Sequence, residues 1–523
     1  MNAYHFRELS VALTQKDKVL EALAHALNIQ EQEILNMKVE RFSLDCRKRS
    51  EPHWSFNVRF ETAKNLSETH WLVRAREKED SLDSDPLKKS VPMPSSVSVI
   101  GAGPAGLWAT LWLLRRGFSV DLYEQGKPVE ERFRDIRKFF VDRKFNAHSN
   151  ILFGEGGAGA FSDGKLNTRS RNPFSNAVLS DMVEFGVSSE VLAFAKPHIG
   201  TDRLVLLLKN IRKEILRLGG RIHFETALED IEIKNGSLTQ AKLNGEWKNT
   251  DALILAPGHS ARFLYELLHE RGVALESKAF ALGVRVEHPQ ALINLRQLGP
   301  NVNTALTGSA EYALTAKTLG GTSAAYSFCM CPGGVLVPCV SEEGTLATNG
   351  MSYSHRSGLF ANGAIVVPIP KSEELFGGIE MQRRLEKAAY ELAGKNYSAP
   401  AQTIPSFLSG KLDTKPLPKT TFSTGIRPCR IQDFMDDFVC KSLADGFEQF
   451  ERKIPGFISK GLIVAPETRT SSPLRILRNP DTLESISVKG LFVLGEGAGY
   501  AGGIVTSAAD GIRLATRARI QKN

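Results

Sequence analysis

The sequence predicts an α/β protein in which one parallel-sheet domain is assembled from two distant parts of the chain. Two glycine-rich stretches carry this prediction, residues 97–124 and residues 490–503. Each runs from an apolar, strand-like segment into glycines and then into an apolar helical segment. Segments of different character precede and interrupt the domain. We therefore expect a discontinuous α/β domain with an inserted α+β domain and a small N-terminal α+β domain.

The domain boundaries follow from changes in pattern along the 523 residues, a length that suits two or three domains. Residues 1–80 combine one helical pattern with alternating strands, which predicts the small N-terminal domain. Charges, serines and prolines at 81–96 indicate a linker. The parallel-sheet domain then occupies 97–276 and 455–523. Residues 277–454 hold short strands, tight turns and a helix, and form the inserted substrate or cap domain.

The composition narrows the classes of function. With 66 Lys and Arg against 58 Asp and Glu, the net charge of +8 is mild for this length; it suits an anionic small molecule and does not indicate nucleic acid. No run approaches the roughly 18 apolar residues of a membrane span, and the N-terminus lacks a secretion signal. The six cysteines show no dense disulfide pattern. We expect a cytoplasmic protein with reduced thiols and no membrane partner; its oligomeric state is not predicted.

The strongest motif is Gly101-x-Gly103-x-x-Gly106, which follows a strand, opens a helix and precedes a second strand ending at Glu124. This is the dinucleotide-binding fingerprint in its expected context. The first glycine permits a tight turn, the second lets the backbone approach a pyrophosphate, and the third lets helix and strand pack closely. The acid is placed to accept hydrogen bonds from ribose hydroxyls. We predict nucleotide contacts from Gly101, Gly103, Pro104, Ala105, Gly106, Glu124 and Gln125.

Further candidate contacts lie in later segments. Arg132, in a charged helical stretch, suits a contact with phosphate, or is exposed at the surface. The glycine-rich run 153–165 cannot be a regular helix or strand, and glycines there let the backbone approach a flat or charged ligand. A buried strand ends in a turn at Gly258, and the final glycine-rich stretch opens the last helix. These segments add Arg132, Gly156, Gly157, Gly258, Gly495, Glu496, Gly502, Gly503 and Ile504 to the predicted cofactor contacts.

Two of these segments resemble a known superfamily. Ala256-Pro257-Gly258 and Gly495-Glu496 resemble the strand ends of glutathione-reductase-type flavoproteins. The resemblance implies a Rossmann-like FAD-binding domain in which Glu496 contacts the ribityl-phosphate part of FAD and the last helix points at the flavin. A helix N-terminus there would stabilise negative charge on a reduced flavin by roughly 0.3 to 2 kcal/mol.

The resemblance becomes more specific over four segments in order along the chain. GEGGAGAFSDGKL, SFCMCPGG, PETRTSSPLRI and GEGAGYAGGI are similar to a bacterial family of uncharacterised FAD-dependent dehydrogenases, whose members carry an N-terminal α/β extension. This resemblance covers most of the chain and implies FAD and oxidoreductase chemistry. It does not imply a substrate.

The chemistry is narrowed by what the sequence lacks. No second GxGxxG follows, and Cys329-Met330-Cys331 has a strained spacing for an internal disulfide, so we do not expect a pyridine-nucleotide disulfide reductase. We predict an FAD-dependent oxidoreductase, a dehydrogenase or reductase, that moves hydride between flavin N5 and an unidentified small substrate. The hydride passes directly between the flavin and a substrate in the inserted domain, or comes from NADH or NADPH bound transiently in the same cavity. Two alternatives stay open: an FAD-dependent RNA-modification protein and a non-catalytic flavin-binding protein.

Four residues are candidates for catalysis. Cys329 and Cys331 suit thiol chemistry beside the flavin, or are small residues buried at a sharp turn; without a second Cys/His pair we predict no metal site. Arg469 suits an anionic substrate group, or pairs with Glu467. Lys165 suits the flavin edge, or is a solvated surface lysine. His259 and His355 are weaker candidates as proton donors.

Overall fold

The computed structural model describes residues 1–47, 51–75, 90–166 and 172–521. Its N-terminal part is a four-stranded sheet in the order β2-β3-β1-β4, with one helix packed against it. Alternate residues of the central strand β3 are buried, as the alternating sequence pattern predicts. The elements are β1 (Asn2–Ala12), α1 (Val19–Leu27), β2 (Leu35–Asp45), β3 (His53–Thr62) and β4 (Leu72–Arg74).

A five-stranded parallel sheet forms the centre of the second domain, in the order β24-β12-β6-β7-β8. Its inner strands are short apolar runs. Helices cover one face of the sheet, and a three-stranded antiparallel sheet in the order β11-β10-β9 covers the other face together with one helix, α6. The elements of its first half are β5 (Val91–Met93), β6 (Ser96–Ile100), α2 (Pro104–Arg115), β7 (Ser119–Tyr123), α3 (Val129–Asp142), α4 (Pro173–Glu184), α5 (Thr201–Arg217), β8 (Arg221–His223), β9 (Leu228–Lys234), β10 (Ser237–Leu243), β11 (Glu246–Asn249), β12 (Leu253–Leu255), α6 (Arg262–Glu270) and β13 (Leu275–Ser277).

The inserted domain is built on a seven-stranded sheet in the order β15-β16-β19-β14-β22-β20-β21. Its longest pairing joins β14 to β19 over their full lengths. The elements are β14 (Phe280–Pro289), α7 (Gln290–Leu298), α8 (Thr304–Thr307), β15 (Thr315–Thr318), β16 (Ser323–Cys331), β17 (Val335–Cys339), β18 (Ala347–Met351), β19 (Phe360–Ile369), α9 (Gly377–Leu392), β20 (Ala399–Thr403), α10 (Ile404–Ser409), β21 (Ile426–Pro428), α11 (Asp437–Lys453), α12 (Phe457–Lys460) and β22 (Leu462–Glu467).

The chain then returns to the parallel sheet and ends beside its beginning. The remaining elements are β23 (Leu474–Ile476), β24 (Leu491–Val493), α13 (Ile504–Arg517) and β25 (Ala518–Ile520). Strand β24 pairs in parallel with β12, which in turn pairs with β6. The carboxyl ends of these three strands therefore meet at one edge, the position where open α/β sheets bind ligands.

Two expected boundaries differ from the structure. Strand β22 pairs with β14 and β20, so the inserted domain extends past 454 to the end of this strand; the short apolar run was assigned to the wrong sheet because its partners are remote in sequence. The expected linker lies partly outside the described residues, and its last part forms β5, paired with β25. Among the described helices, none is long and apolar enough to cross a membrane.

Candidate functional site

A groove of about 700 Å³ lies between the parallel sheet and the inserted sheet. We call it the central groove. It is lined by both glycine-rich segments, which are almost four hundred positions apart in sequence, and by side chains of the inserted domain. Of the residues predicted from sequence, it brings together Gly101, Gly103, Pro104, Ala105, Glu124, Gln125, Gly157, Lys165, Gly258, Cys329, Cys331, Arg469, Gly495, Glu496, Gly502, Gly503 and Ile504.

The three fingerprint glycines differ in what requires them. Gly101 has a φ of +95°, and a Cβ there would overlap the carbonyl oxygen of Ala256. A Cβ on Gly106 would overlap the carbonyl oxygen of Gly101. A Cβ on Gly103, by contrast, would meet only the Cα of Gly157, at 4.0 Å. The protein itself leaves room for a side chain at Gly103, so this glycine fits a ligand lying against its backbone, as a pyrophosphate does.

Glu124 holds the first glycine turn against the glycine-rich loop. Its Oε2 accepts a hydrogen bond from the amide of Ala102 at 2.8 Å, and its Oε1 accepts from Gly126 and Gly154, both at 3.0 Å. The buried carboxylate is thereby oriented by three backbone donors at one end of the groove. A contact with ribose hydroxyls remains a prediction, and the fixed orientation of the carboxylate is compatible with it.

Three predicted contact residues do not line the groove. Arg132 is fully buried and donates to four backbone carbonyls, those of residues 150, 151, 154 and 155. Its guanidinium shapes the glycine-rich loop, and the expected contact with phosphate does not agree with this placement. The amide of Gly156 donates to Ala102 and its α-carbon packs against Leu208. Gly106 serves helix packing.

The second glycine segment forms the other end of the groove. Glu496 lies beside His259, with 3.2 Å between Oε1 and Nδ1. The Nε2 of His259 is buried and has no hydrogen-bond partner in the described structure, although this residue lines the groove. Helix α13 begins next to them, and Gly502 and Gly503 leave open space in front of its first turn. A helix N-terminus with free amides facing an open groove suits an electron-rich group.

The wall supplied by the inserted domain contains a strained cysteine. Cys329 has a φ of +43° and lies in a β-bulge, where β16 gains one residue relative to β19 between Phe328 and Cys331. A non-glycine residue in this region of backbone space is strained, and such residues cluster at functional sites. The Cys329 side chain is exposed to the groove, whereas Cys331 is buried. Removal from bulk water raises the pKa of both thiols, that of Cys329 to about 11, which disfavours both thiolates.

A buried arginine that the sequence analysis did not select holds this bulge. Arg285 is fully buried and forms a two-point ion pair with Glu467, at 2.8 and 3.1 Å. Its Nη1 donates to the carbonyl of Cys329 at 2.8 Å, and Asn349 and Asn362 accept its remaining hydrogen bonds. The only local sign in the sequence was a charged residue inside an apolar strand.

Arg469 pairs with Glu386 and not, as one interpretation of the sequence had it, with Glu467. Its Nε and Nη2 donate to the two oxygens of Glu386, at 2.9 and 3.0 Å, and Arg262 donates to the same carboxylate. Burial opposes the charged form of Glu386, but the two arginines outweigh it and lower its pKa to about 2. The Nη1 of Arg469 is buried and has no partner in the described structure, and this residue lines the groove.

Lys165 lies at the edge of the groove and is engaged in an ion pair. Its Nζ is 2.7 Å from Asp163 Oδ2 and also donates to the carbonyl of Met330. Asp163 in turn accepts from Arg356, with 2.9 Å to its Nε. The chain Lys165–Asp163–Arg356 therefore links the glycine-rich loop to the bulge of the inserted domain, and the interpretation as a free surface lysine is wrong.

Comparison with known proteins identifies the family. Residues 279–470 match a domain described as "FAD-dependent protein, C-terminal domain-like". The chain is 40% identical, over 98% of its own length and 98% of the relative, to a protein of Clostridium beijerinckii described as uncharacterized. The chain belongs to the same family as this protein, a family of FAD-dependent proteins. The predicted flavoprotein class and the FAD cofactor are thereby confirmed.

Solved structures resemble the chain more distantly. Glycine oxidase from Geobacillus kaustophilus is 10% identical, with a TM-score of 0.36, over 82% of this chain and 96% of the other. L-proline dehydrogenase from P. horikoshii is 12% identical, with a TM-score of 0.35, over 82% of this chain and 93% of the other. Both are similar in extent to this chain, but at these TM-scores they carry no conclusion about its reaction.

Proposed function

We propose that this chain is an FAD-dependent oxidoreductase that moves hydride between the flavin and a small substrate bound against the inserted domain. One observation carries the proposal: the two glycine segments and the inserted sheet face one groove, which is glycine-rich backbone on one side and polar side chains on the other. FAD supplies a two-electron carrier, and a groove of this kind positions both the carrier and its reaction partner.

The residues of the inserted wall suit the binding of a polar, electron-rich substrate group. The unpartnered Nη1 of Arg469 is a free donor with a positive charge, and its orientation is fixed by the pairing of the same guanidinium with Glu386. A buried unpaired donor costs free energy unless a ligand satisfies it. A carboxylate or carbonyl oxygen of the substrate supplies such a partner, and the ion-pair network holds the donor in place for it.

Cys329 and Lys165 border the same space. The bulge turns the Cys329 thiol toward the groove, and the link from Lys165 to the Met330 carbonyl ties the neighbouring backbone to the glycine-rich loop. These two residues are placed to exclude water and to orient a substrate, and Cys329 offers a proton-bearing group at the groove surface. Cys331 is buried at the wall of the groove, its thiol donates to the carbonyl of Cys329, and we assign it the support of the bulge.

The test is an absorption spectrum of the purified protein, followed by anaerobic titration with NADH and NADPH. We expect flavin bands, and we expect one of the two nucleotides to bleach them. A protein that is colourless and cannot be loaded with FAD would reject the cofactor assignment. A yellow protein that takes electrons from dithionite, but from neither nucleotide nor a panel of carboxylate-bearing small molecules, would instead favour a flavin-binding protein without catalysis.

A further inference from the structure

A second, larger cavity lies between the N-terminal domain and the rest of the molecule. It measures about 1800 Å³, and we call it the interdomain cleft. One wall is the polar face of the N-terminal sheet. The other wall comes from residues 191–198, 297–298, 307–311 and 354–356. Of the residues predicted from sequence to bind the cofactor or to act in catalysis, only the weaker candidate His355 lines this cleft. The proposed function therefore does not explain the cleft.

The N-terminal domain is fixed to the body of the protein along one edge. Phe42, in β2, exchanges two backbone hydrogen bonds of 2.8 Å with Ala193 and Ala195. Its ring stacks on Phe194 with 4.9 Å between centroids, and Lys16 forms an ion pair with Glu190 at 2.8 Å. This attachment combines backbone hydrogen bonds, a stacked aromatic pair and an ion pair. It leaves the polar face of the sheet open toward the cleft and not closed against the body.

The charges in the cleft favour anions. Five Arg and Lys side chains line it, against three Glu. Lys196 pairs with Glu311 at 2.7 Å and Arg356 pairs with Asp163, which leaves Arg7, Arg41 and Arg74 against Glu40 and Glu68. The guanidinium groups of Arg7 and Arg41 have neither a hydrogen bond nor an ion pair within the described ranges, and both line the cleft from the N-terminal sheet. Across the cleft, the Nδ1 of His198 is buried and has no hydrogen-bond partner among the described residues. Unpaired cations in a concave, polar space raise the local concentration of anions.

A single layer of residues separates the cleft from the central groove. Asp163 and Lys165 line the groove, whereas Leu166, His198 and Arg356 line the cleft. One contact joins the two sets directly, since Arg356 donates to Asp163 at 2.9 Å. On the cleft side, the Leu166 amide donates to the carbonyl of Pro197 at 2.9 Å. The ion pair between Asp163 and Arg356 is therefore a partition with the cleft on one side and the groove on the other.

We propose that the interdomain cleft is the entrance through which an anionic organic substrate, a carboxylate or a phosphate ester, reaches the central groove. The inference rests on the proposed function. Arg7 and Arg41 attract the anion, and it passes the partition by exchanging its charge for that of Asp163 on Arg356. No described residue of the N-terminal domain lines the central groove, and in this proposal the role of the domain is to attract the substrate electrostatically.

The experiment uses two redox probes of different charge on the FAD-loaded protein. Dithionite is an anionic reductant, and p-benzoquinone is a neutral oxidant of the reduced flavin. Stopped-flow absorbance would follow both reactions in the wild type and in Arg7→Ala/Arg41→Ala. At low ionic strength we expect dithionite reduction to slow about threefold in the variant, with benzoquinone reoxidation unchanged, and we expect high salt to remove the difference.

A matched control removes two positive charges elsewhere. Lys371→Ala/Arg452→Ala changes exposed residues that line neither cavity, and it should leave both rates unchanged. Equal dithionite rates in the wild type and the Arg7/Arg41 variant would contradict the proposal that the cleft is the entrance. Slower reaction with both probes would also contradict it, because the substitutions would then have changed the fold and not only the charge. Failure to bind FAD at all would overturn the proposed function before this test begins.

Competition by small anions distinguishes a phosphate ester from a carboxylate as the substrate class. Inorganic phosphate or malonate is added at constant ionic strength while dithionite reduction is followed. Stronger slowing by phosphate indicates a phosphorylated substrate, and stronger slowing by malonate indicates a carboxylate. Competition by neither anion would contradict an anion site in the cleft.

Cys46, which also lines the cleft, allows an independent test by chemical labelling. We compare its rate of labelling by the anion iodoacetate with its rate of labelling by neutral iodoacetamide. The ratio of the two rates should fall in the Arg7/Arg41 variant, whereas the same ratio at Cys429 should stay constant.

Discussion

The two walls of the central groove are built by different means. The wall of the parallel sheet is mostly backbone: glycines at tight turns, a helix N-terminus and one carboxylate held by three amides. The wall of the inserted sheet is mostly side chains, held by buried ion pairs centred on Arg285 and Glu386. The first wall has the features of the dinucleotide-binding fingerprint, which many proteins share. The second wall carries what is particular to this one.

The difference affects how each wall responds to substitution. A backbone wall fails when a Cβ is added, because atoms overlap. A side-chain wall fails when one charge is removed, because its partner is left buried and unpaired. The following substitutions separate these modes of failure.

The largest effect is expected for Gly106→Val. Even the Cβ would overlap the carbonyl oxygen of Gly101 at the start of α2, and the backbone of both elements is fixed by packing in the core. We expect several kcal/mol of destabilisation and little soluble protein, as measured by expression yield and thermal unfolding. Gly117→Val is the control, since no atom lies within 4 Å of a Cβ at that position; its positive φ will add some strain. Equal yields of both variants would contradict the close packing at Gly106.

The second-largest loss of stability is expected for Glu386→Gln. The change leaves the buried Arg262 and Arg469 without their shared carboxylate, and breaking a buried pair in this way costs about 3 to 5 kcal/mol. Glu391→Gln, on the exposed face of the same helix, serves as the control. Thermal unfolding at neutral pH measures the difference. If both variants melt together, the cluster does not stabilise the fold.

The same substitution has a pH signature. The folded-state pKa of Glu386 is lowered to about 2 from an ordinary value of 4.5. The stabilisation from this carboxylate is therefore complete above about pH 4.5 and is lost as the pH falls toward 2. The wild type should lose stability across this window more steeply than Glu386→Gln. Parallel curves for the two proteins would contradict the lowered pKa.

The sequence predicts the backbone wall far better than the side-chain wall. The strand, turn and helix of 97–124 are local, so the order of residue types predicts them. Strand β7 ends at Tyr123, one residue before the end expected at Glu124. The contacts of Arg285 join residues from β14, β16, β18, β19 and β22. Nothing in a linear pattern says that these strands are neighbours, and so neither this network nor the partner of Arg469 could be predicted.

The errors have the same cause. Arg132 looked available to phosphate because its helix is charged, but the carbonyls that bind it belong to a loop whose path the sequence does not show. Strand β22 was assigned to the wrong domain because it is a short apolar run, equally suited to either sheet. The residue types in the sequence identified the candidate residues. Contacts between segments remote in sequence decide which atoms of those residues are available to a ligand.

Gly103→Val tests the backbone wall without disturbing the fold. The first atom of the new side chain would meet only Gly157, at 4.0 Å, in the protein, but it would occupy the space where a pyrophosphate lies against the backbone. We expect FAD affinity to fall about 100-fold, equivalent to about 3 kcal/mol, with the melting temperature of the FAD-free protein nearly unchanged. Fluorescence titration of FAD measures the affinity. Full retention of FAD would show that this glycine does not contact the cofactor.

The smallest effect concerns the strained cysteine. Because Cys329 has a φ of +43°, Cys329→Gly relieves backbone strain in the folded state. The substitution also increases the conformational entropy of the unfolded chain, which opposes this gain. We therefore expect the free energy of unfolding to change by less than about 1 kcal/mol. Cys331→Gly removes a buried side chain and should be clearly destabilising. Labelling of the wild type with iodoacetamide should modify Cys329 but not Cys331, and bound FAD should slow it. If Cys329 is modified equally fast with and without FAD, the thiol faces away from the flavin, and the bulge would then serve the architecture of the inserted sheet alone.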